Sequence, residues 1–149
     1  MEYINIPVVT CRLVREKNRR YQRKVLRSSE DVSELLKSEL SSFDREAFIV
    51  ISLDIKFHIT NISYVSIGNV SQTALNASNV FKPALLSNAS SVIVAHNHPS
   101  GDPNPSPADV SATEMLVKAG IILGIKVMDH LIIGDTVFSF YENGLMQGM

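Results

Sequence analysis

One segment in the middle of the chain constrains both the fold and its chemistry. An apolar run, Val92–Val94, leads into His96 and His98, and Asp109 follows after a loop. Residues two apart on an extended strand point to the same side, so we expect both imidazoles to face one place. Ser91–His96 is therefore predicted to be a buried central strand, with His98 two residues past its end.

The residues after the two histidines predict a loop and then a helix. Pro99–Pro105 is rich in proline and leaves no room for a helix. Ser106 suits the N-cap, Pro107 suits the first helical position, and Asp109 stands three residues past the cap. An apolar stripe then continues the helix to a predicted stop at Gly120, and its members are Ala112, Met115, Leu116 and Ala119.

Two imidazoles and one carboxylate are donors that suit zinc. Zinc accepts imidazole nitrogen at about 2.0–2.1 Å and carboxylate oxygen at about 2.0–2.2 Å, and three protein ligands leave one tetrahedral position open. A water in that position has its pKa lowered to about 7. His96, His98 and Asp109 are therefore predicted to hold a catalytic Zn²⁺ ion.

Hydrolysis at such a metal also needs a general base and a neutral donor for the developing oxyanion. Ser106 carries a hydroxyl three residues before Asp109 and is the candidate donor. Glu46 stands at the mouth of a predicted strand, Ala47–Leu53, and is the candidate base. Spacing along the chain does not bring Glu46 to His96, because that step depends on the fold.

The remaining chain alternates between strand-like and helix-like pieces, which predicts one α/β domain with a mixed sheet flanked by helices. In chain order, the further predicted elements are a strand at Ile6–Val14, a helix that begins at Ser28–Asp31 and continues through Leu40, a strand at Phe57–Ile67 that forms a hairpin with Ala47–Leu53, a loop at Gly68–Ser78, a helix at Asn79–Ala89, and strands at Ile125–Asp129, Leu131–Ile133 and Thr136–Tyr141.

The two remaining histidines receive structural interpretations. His130 lies in an apolar strand region and is predicted to be a hydrogen-bonded structural residue. His58 alternates with apolar neighbours on the hairpin and is predicted to face solvent. The predicted site therefore uses two of the four histidines in the chain.

Composition excludes several classes of protein. The single cysteine, Cys11, rules out an internal disulfide, cysteine-based zinc sites and the zinc deaminases with their paired cysteines. No apolar run approaches the roughly 20 residues that a membrane span needs, and no signal-peptide pattern opens the chain. We therefore expect a cytoplasmic protein with no membrane partner.

Charge is distributed unevenly and divides the chain in two. Residues 1–27 hold eight bases against two acids, whereas residues 28–149 hold six bases against thirteen acids. We therefore distinguish a basic N-terminal segment, 1–27, from the domain at 28–149, and the sequence leaves open whether the segment is part of that domain. Two interpretations of Arg12–Arg27 stay open: weak contact with nucleic acid or an acidic partner, or a solvated arm that pairs with its own acidic domain.

The site residues also carry a family resemblance. His-x-His, seven residues, then Ser-x-x-Asp, with an upstream glutamate, is similar to the pattern of the JAMM (MPN/JAB) metalloproteases. The strings at 96–103 and Asp129–Gly134 resemble the RadC-type JAB branch of that family, and the likeness runs from about Glu46 to Tyr141. It implies a JAB/MPN-like fold, a mixed curved sheet flanked by helices, distantly akin to the cytidine deaminases.

The resemblance also implies roles and an activity. It implies His96, His98 and Asp109 as zinc ligands, Glu46 as general acid and base, and Ser106 as support for the oxyanion. The implied function is a zinc-dependent peptidase or isopeptidase acting on a peptide or protein substrate. The alternative is a RadC-like module that keeps the metal but serves a nucleic-acid-associated role, such as DNA repair or a mobile element, or a protein-interaction role.

The sequence departs from the family pattern in three places. Asn97 stands where eukaryotic JAMM enzymes carry Ser or Thr, and Asn is the RadC-type choice. Asn76–Asn79 replaces a His-Pro-Arg-Glu run and removes both charges, so we expect shifted specificity or lower activity. The helix-hairpin-helix segment that precedes the domain in full-length RadC proteins has no counterpart in residues 1–27, so we expect nucleic acid to bind through the basic segment or not at all.

Overall fold

The computed structural model describes residues 4–18, 20, 26, 29–68 and 75–149, whose helices and strands form three layers. A five-stranded sheet lies between one helix on one face and two helices on the other. The elements are α1 Ser29–Leu40, β1 Ala47–Leu53, β2 Ile59–Ile67, α2 Ala77–Leu86, β3 Ser91–Asn97, α3 Pro107–Leu123, β4 Lys126–Ile133 and β5 Val137–Ser139.

The strand order is β2-β1-β3-β4-β5. β1 pairs antiparallel with β2 and β3, β3 pairs parallel with β4, and β4 pairs antiparallel with β5. A parallel pair needs a crossover, and α3 provides it. The chain therefore leaves the end of β3 through the loop and enters α3 at the same edge of the sheet. This mixed sheet flanked by helices confirms the predicted fold class.

The side chains of the central strands alternate between two cores. On β1, Ile49 and Ile51 pack into the core that contains α1, whereas Phe48 and Val50 pack into the core that contains α2 and α3. His96 lies on the second of these faces, because its ring stacks on Phe48 with centroids 5.9 Å apart. The pleat of β3 therefore directs His96 toward α3.

The predicted first strand, Ile6–Val14, is wrong. Residues 4–18 contain no helix or strand, and Val8 is 100% exposed. A strand needs a neighbour to satisfy its backbone groups. Among the described residues, the two edge strands of the sheet pair only with β1 and β4. The apolar residues of this segment thus have strand propensity without a partner strand.

Two boundaries near the site also differ from the prediction. β4 is one strand rather than two, because His130 pairs with Val94 inside the parallel ladder. The predicted stop of α3 at Gly120 is wrong as well. The helix continues to Leu123 and ends at Gly124, whose φ of 68° is the left-handed conformation that glycine adopts at helix ends.

Parts of three predictions fall outside the described residues. They are Ser28 at the start of the first helix, residues 69–74 of the predicted loop, and four bases of the N-terminal segment, Arg19, Arg23, Lys24 and Arg27. Within the described part of the chain, none of the helices combines the length and the apolar character that crossing a membrane requires.

Candidate metal centre

The three predicted ligands meet where β3 ends and α3 begins. The two imidazole Nε2 atoms of His96 and His98 are 3.0 Å apart. The Asp109 carboxylate stands beside both, with Oδ1 3.3 Å from His96 Nε2 and Oδ2 3.6 Å from His98 Nε2. Their ligand atoms all lie within 4.8 Å of one another, and in the described part of the chain this is the group that could hold a metal ion.

The spacing of these atoms fits one ion. Two ligands bound to the same tetrahedral zinc at about 2.0–2.1 Å stand about 3.3 Å apart. The separations of 3.0, 3.3 and 3.6 Å bracket that value. Imidazole nitrogen and carboxylate oxygen are ligands of several divalent metals, so this group could bind a metal ion, and the spacing does not determine which one.

His98 is held with one nitrogen directed at the site. Its backbone N–H donates to the Ile133 carbonyl at 2.9 Å, which continues the β3–β4 ladder past the end of β3. Its ring Nδ1 lies 2.8 Å from the Asp102 carbonyl oxygen. A carbonyl only accepts, so Nδ1 carries the hydrogen and Nε2 presents its lone pair to the site.

Asp109 is held by a capping box at the start of α3, as the sequence predicted for Ser106 as N-cap. The Ser106 backbone N–H and hydroxyl both donate to Asp109 Oδ2, at 2.7 and 2.6 Å. Burial raises the pKa of the Asp109 carboxyl, but the adjacent His96 imidazole and the hydrogen bonds from Ser106 outweigh burial and hold the pKa well below its usual range. Asp109 is therefore ionised and suited to a cation.

The loop that carries His98 is hydrogen-bonded to the turn between β4 and β5 and packs closely against it. The Asp135 N–H donates to the Gly101 carbonyl at 2.8 Å, and Gly101 has a φ of 87°. A Cβ at Gly134 would lie 2.3 Å from the Gly101 oxygen, closer than a side chain can approach. The glycine that ends the Asp129–Gly134 string thus allows the ligand loop to lie against the sheet.

Glu46 comes to the same edge of the sheet from the other side. Phe48 pairs with His96 in the antiparallel β1–β3 ladder, so Glu46, two residues before Phe48, reaches the level of His98. Its carboxylate stands outside the metal-ligating group. It lines an adjacent open cleft together with Asp44, Arg45, Gly68 and Pro99. The fold therefore brings the backbone of the predicted base to the level of His98.

Asn97 fixes the backbone on both sides of Glu46. Its Oδ1 accepts from the buried Ala47 N–H at 2.7 Å, and its Nδ2 donates to the Arg45 carbonyl at 3.1 Å. The Arg45 guanidinium pairs with the adjacent Asp44 at 2.8 Å and not with Glu46. The middle residue of His-x-His thus connects the ligand strand to the start of β1, a role that the sequence did not reveal.

Two further residues lie behind His96. His130 is fully buried, and its Nε2 lies 2.9 Å from His96 Nδ1. Its Nδ1 lies 2.7 Å from the hydroxyl of Thr113, which donates to the Asp109 carbonyl at 2.7 Å. Full burial, and next the neighbouring His96, hold the pKa of His130 well below its usual value.

The prediction of a hydrogen-bonded structural histidine is confirmed, but the partners of His130 belong to the metal site. Thr113 was missed. The available signal was a hydroxyl-bearing residue one helical turn after Asp109, on the same buried helix face as Leu116 and Gly120.

An α/β/α domain with two histidines at a strand end and an aspartate at the next helix start defines a JAB-type domain. Residues 26–145 match the family described as RadC-like JAB domain. The chain belongs to this RadC-like JAB domain family.

Bacterial relatives support the same assignment. The chain is 42% identical to a UPF0758 protein of Desulfitobacterium hafniense and 46% identical to one of Moorella thermoacetica, in both cases over 83% of this chain and 55% of the relative. It is 50% identical to a UPF0758 protein of Caldanaerobacter subterraneus over 72% of this chain and 46% of the relative. The chain thus spans about half the length of these curated relatives.

Proposed function

We propose that this protein is a zinc-dependent hydrolase that cleaves peptide or isopeptide bonds. The observation that carries the proposal is the convergence of His96, His98 and Asp109, within 4.8 Å of one another, beside the cleft that Glu46 lines. Membership of the JAB family supports the same class of chemistry. A zinc ion held by these three residues would supply Lewis acidity and lower the pKa of a bound water.

Glu46 is the general base of this proposal. Its carboxylate is half-buried in the cleft, its backbone is held by Asn97, and no ion pair in the described part of the chain occupies it. Such a carboxylate is free to take a proton from the attacking water and to return it to the leaving amine. Arg45, the base among the described residues that line the cleft, pairs with Asp44 and therefore does not neutralise the Glu46 carboxylate.

Ser106 is the donor to the oxyanion in this proposal. Its hydroxyl now donates to Asp109 Oδ2, the same oxygen that accepts the Ser106 backbone N–H at 2.7 Å. The hydroxyl can therefore turn to a substrate oxygen without leaving Asp109 Oδ2 unpaired. Donors aimed at a developing oxyanion contribute strongly to acyl-transfer catalysis.

The replaced run Asn76–Asn79 bears on the substrate. Asn76 caps α2, its Oδ1 accepting from the Asn79 N–H at 2.9 Å and from the Ser78 hydroxyl at 2.7 Å. These neutral side chains are thus engaged with one another at a helix start. We propose that the substrate of this protein makes no ion pair at this position.

The test combines metal content with hydrolysis. Purified wild-type protein is expected to hold about one zinc ion per chain and to cleave a member of a panel of fluorogenic peptide and isopeptide-linked substrates. Glu46→Gln is expected to keep the zinc and to lose about 10²–10⁴-fold in rate. Glu114→Gln, an exposed change on α3, is the matched control and should leave the rate unchanged.

The outcomes separate the parts of the proposal. Full activity in Glu46→Gln would remove Glu46 from the mechanism. Zinc binding without cleavage of any substrate in the panel would favour the alternative, a module that retains the metal and acts through nucleic acid or protein partners. Wild-type protein that binds no zinc would reject the metal site.

A further inference from the structure

We propose that His130 and Thr113 are positioning residues, which fix His96 in the tautomer that offers Nε2 to the metal. This inference rests on the proposed metal site and deepens it. The relevant contacts form one continuous chain, from His96 Nδ1 to His130 Nε2, from His130 Nδ1 to Thr113 Oγ1, and from Thr113 Oγ1 to the Asp109 carbonyl. Two of its distances are 2.7 Å and the third is 2.9 Å.

The side chains of this hydrogen-bond series are buried. His130 and Thr113 are 0% exposed and His96 is 2% exposed. Buried polar atoms need partners within the protein, because an unsatisfied donor or acceptor loses the hydrogen bond that water would otherwise provide. The direction of each hydrogen bond is therefore set by the neighbouring groups and not by water.

The Asp109 carbonyl sets that direction, since it can only accept. The Thr113 hydroxyl has one hydrogen and donates it to this carbonyl. Its oxygen then accepts from His130, so His130 Nδ1 carries a hydrogen. The neutral His130 ring is left with a lone pair at Nε2, which accepts from His96 Nδ1. His96 Nε2 therefore offers its lone pair to an ion held between His98 and Asp109.

The opposite direction would block the site. If Thr113 donated to His130, each hydrogen bond would reverse and His96 Nε2 would carry a hydrogen. That hydrogen would point at His98 Nε2, 3.0 Å away, in the space between the ligand atoms. The hydroxyl of Thr113 thus determines whether His96 is a ligand.

The rings are also held in the plane that these hydrogen bonds need. His96 stacks on Phe48, with centroids 5.9 Å apart, and His130 stacks on Phe140, with centroids 4.8 Å apart. Stacking limits rotation of each ring about its Cβ–Cγ bond. Tautomer and orientation are therefore fixed together, which is how partners behind a ligand tune a metal site.

His98 is held in the same tautomer by a single hydrogen bond, since its Nδ1 donates directly to the Asp102 carbonyl. Behind each of the two histidines, the hydrogen bonds thus end at a backbone carbonyl, which can only accept. For His96 that carbonyl belongs to Asp109, whose side chain is the third ligand. The start of α3 therefore supplies one ligand and sets the tautomer of another.

The test compares Thr113→Val, which keeps the shape and removes the hydroxyl, with Thr113→Ser, which keeps the hydroxyl. Zinc affinity is measured by competition with a chelator. The valine variant is expected to bind zinc about 10–100-fold more weakly than wild type, as is typical when such a partner is lost. The serine variant is expected to stay within about threefold of wild type. Equal affinity in all three proteins would overturn the proposal.

A spectroscopic readout makes the test independent of activity and of variant folding. Nitrogen-15 NMR of the imidazoles, at a pH where the rings are neutral, is expected to show Nδ1–H for His96 and His130 in wild-type protein, with and without zinc. A hydrogen on His130 Nε2 would overturn the proposal. Wild-type protein that binds no zinc would reject the proposed function, while the tautomers of the metal-free protein would still decide this inference.

Discussion

The two sides of the site are held in different ways. On the β3–α3 side, each predicted metal ligand has a hydrogen-bonding partner behind it: His130 for His96, the Asp102 carbonyl for His98, and Ser106 for Asp109. On the β1 side, Asn97 holds the backbone around Glu46, and the carboxylate itself faces an open cleft.

This difference teaches how the site divides its tasks. A metal site gains affinity when its ligands are oriented before the ion arrives. A general base must instead reach a water and then a leaving group, so its carboxylate benefits from freedom on a fixed backbone. Changes on the β3–α3 side should therefore alter metal binding, and changes on the β1 side should alter turnover.

The largest effect is expected from His96→Ala. Loss of a buried ligand should reduce zinc from about one ion per chain to none measurable, because two ligands remain. The control is His58→Ala, since His58 pairs with Asp54 at 3.0 Å on the β1–β2 hairpin and touches no ligand. Elemental analysis of both purified variants checks this. Equal zinc in His96→Ala and wild type would refute the ligand assignment.

The next largest effect is expected from Gly134→Ala. The new Cβ would meet the Gly101 oxygen at 2.3 Å and push the His98 loop from the sheet, at a cost of about 1–3 kcal/mol in unfolding free energy. Zinc affinity should fall by about tenfold because His98 moves with the loop.

Gly124→Ala is the matched control for that change. A Cβ there meets no atom within 4 Å, so only backbone strain at its φ of 68° is added. Denaturant unfolding and chelator competition measure both variants. If Gly124→Ala weakened zinc binding as much as Gly134→Ala, the close contact between Gly134 and Gly101 would not be what holds the His98 loop.

A smaller and more selective effect is expected from Asn97→Ala. It leaves the buried Ala47 N–H without its acceptor, which should lower the unfolding free energy by about 1–3 kcal/mol. Zinc should stay bound, while hydrolysis falls because Glu46 loses its fixed backbone. Asn61→Ala on β2 provides the comparison. Loss of zinc together with activity in Asn97→Ala would mean that the two sides of the site are not separate.

The smallest effect is expected from neutralising three of the four described bases of the N-terminal segment. Arg12, Arg15 and Lys17 are exposed and lie in a stretch without helix or strand. Changing all three to Gln should leave zinc content and hydrolysis unchanged. Salt-dependent DNA binding by wild-type protein that this variant loses would support the nucleic-acid alternative.

Local patterns predicted much of the architecture. β1 begins and ends at the predicted residues, because Ala47–Leu53 is a nearly continuous apolar run buried on both faces. The start of α3 was also predicted correctly, since Ser106, Pro107 and Asp109 satisfy the helix end through contacts within four residues. The strand at Ile6–Val14 was wrong because a strand depends on a distant partner that local propensity does not supply.

The sequence by itself determined which side chains can bind a metal. His96, His98 and Asp109 come together because a two-residue period on a strand and a capped helix start are local rules. Only the tertiary structure decided what surrounds them. The antiparallel register brings Glu46 to His98, Asn97 connects β3 to β1, and the parallel β3–β4 pair places His130 behind His96. These contacts join residues 34 to 52 positions apart, so they follow from sheet topology and not from local pattern.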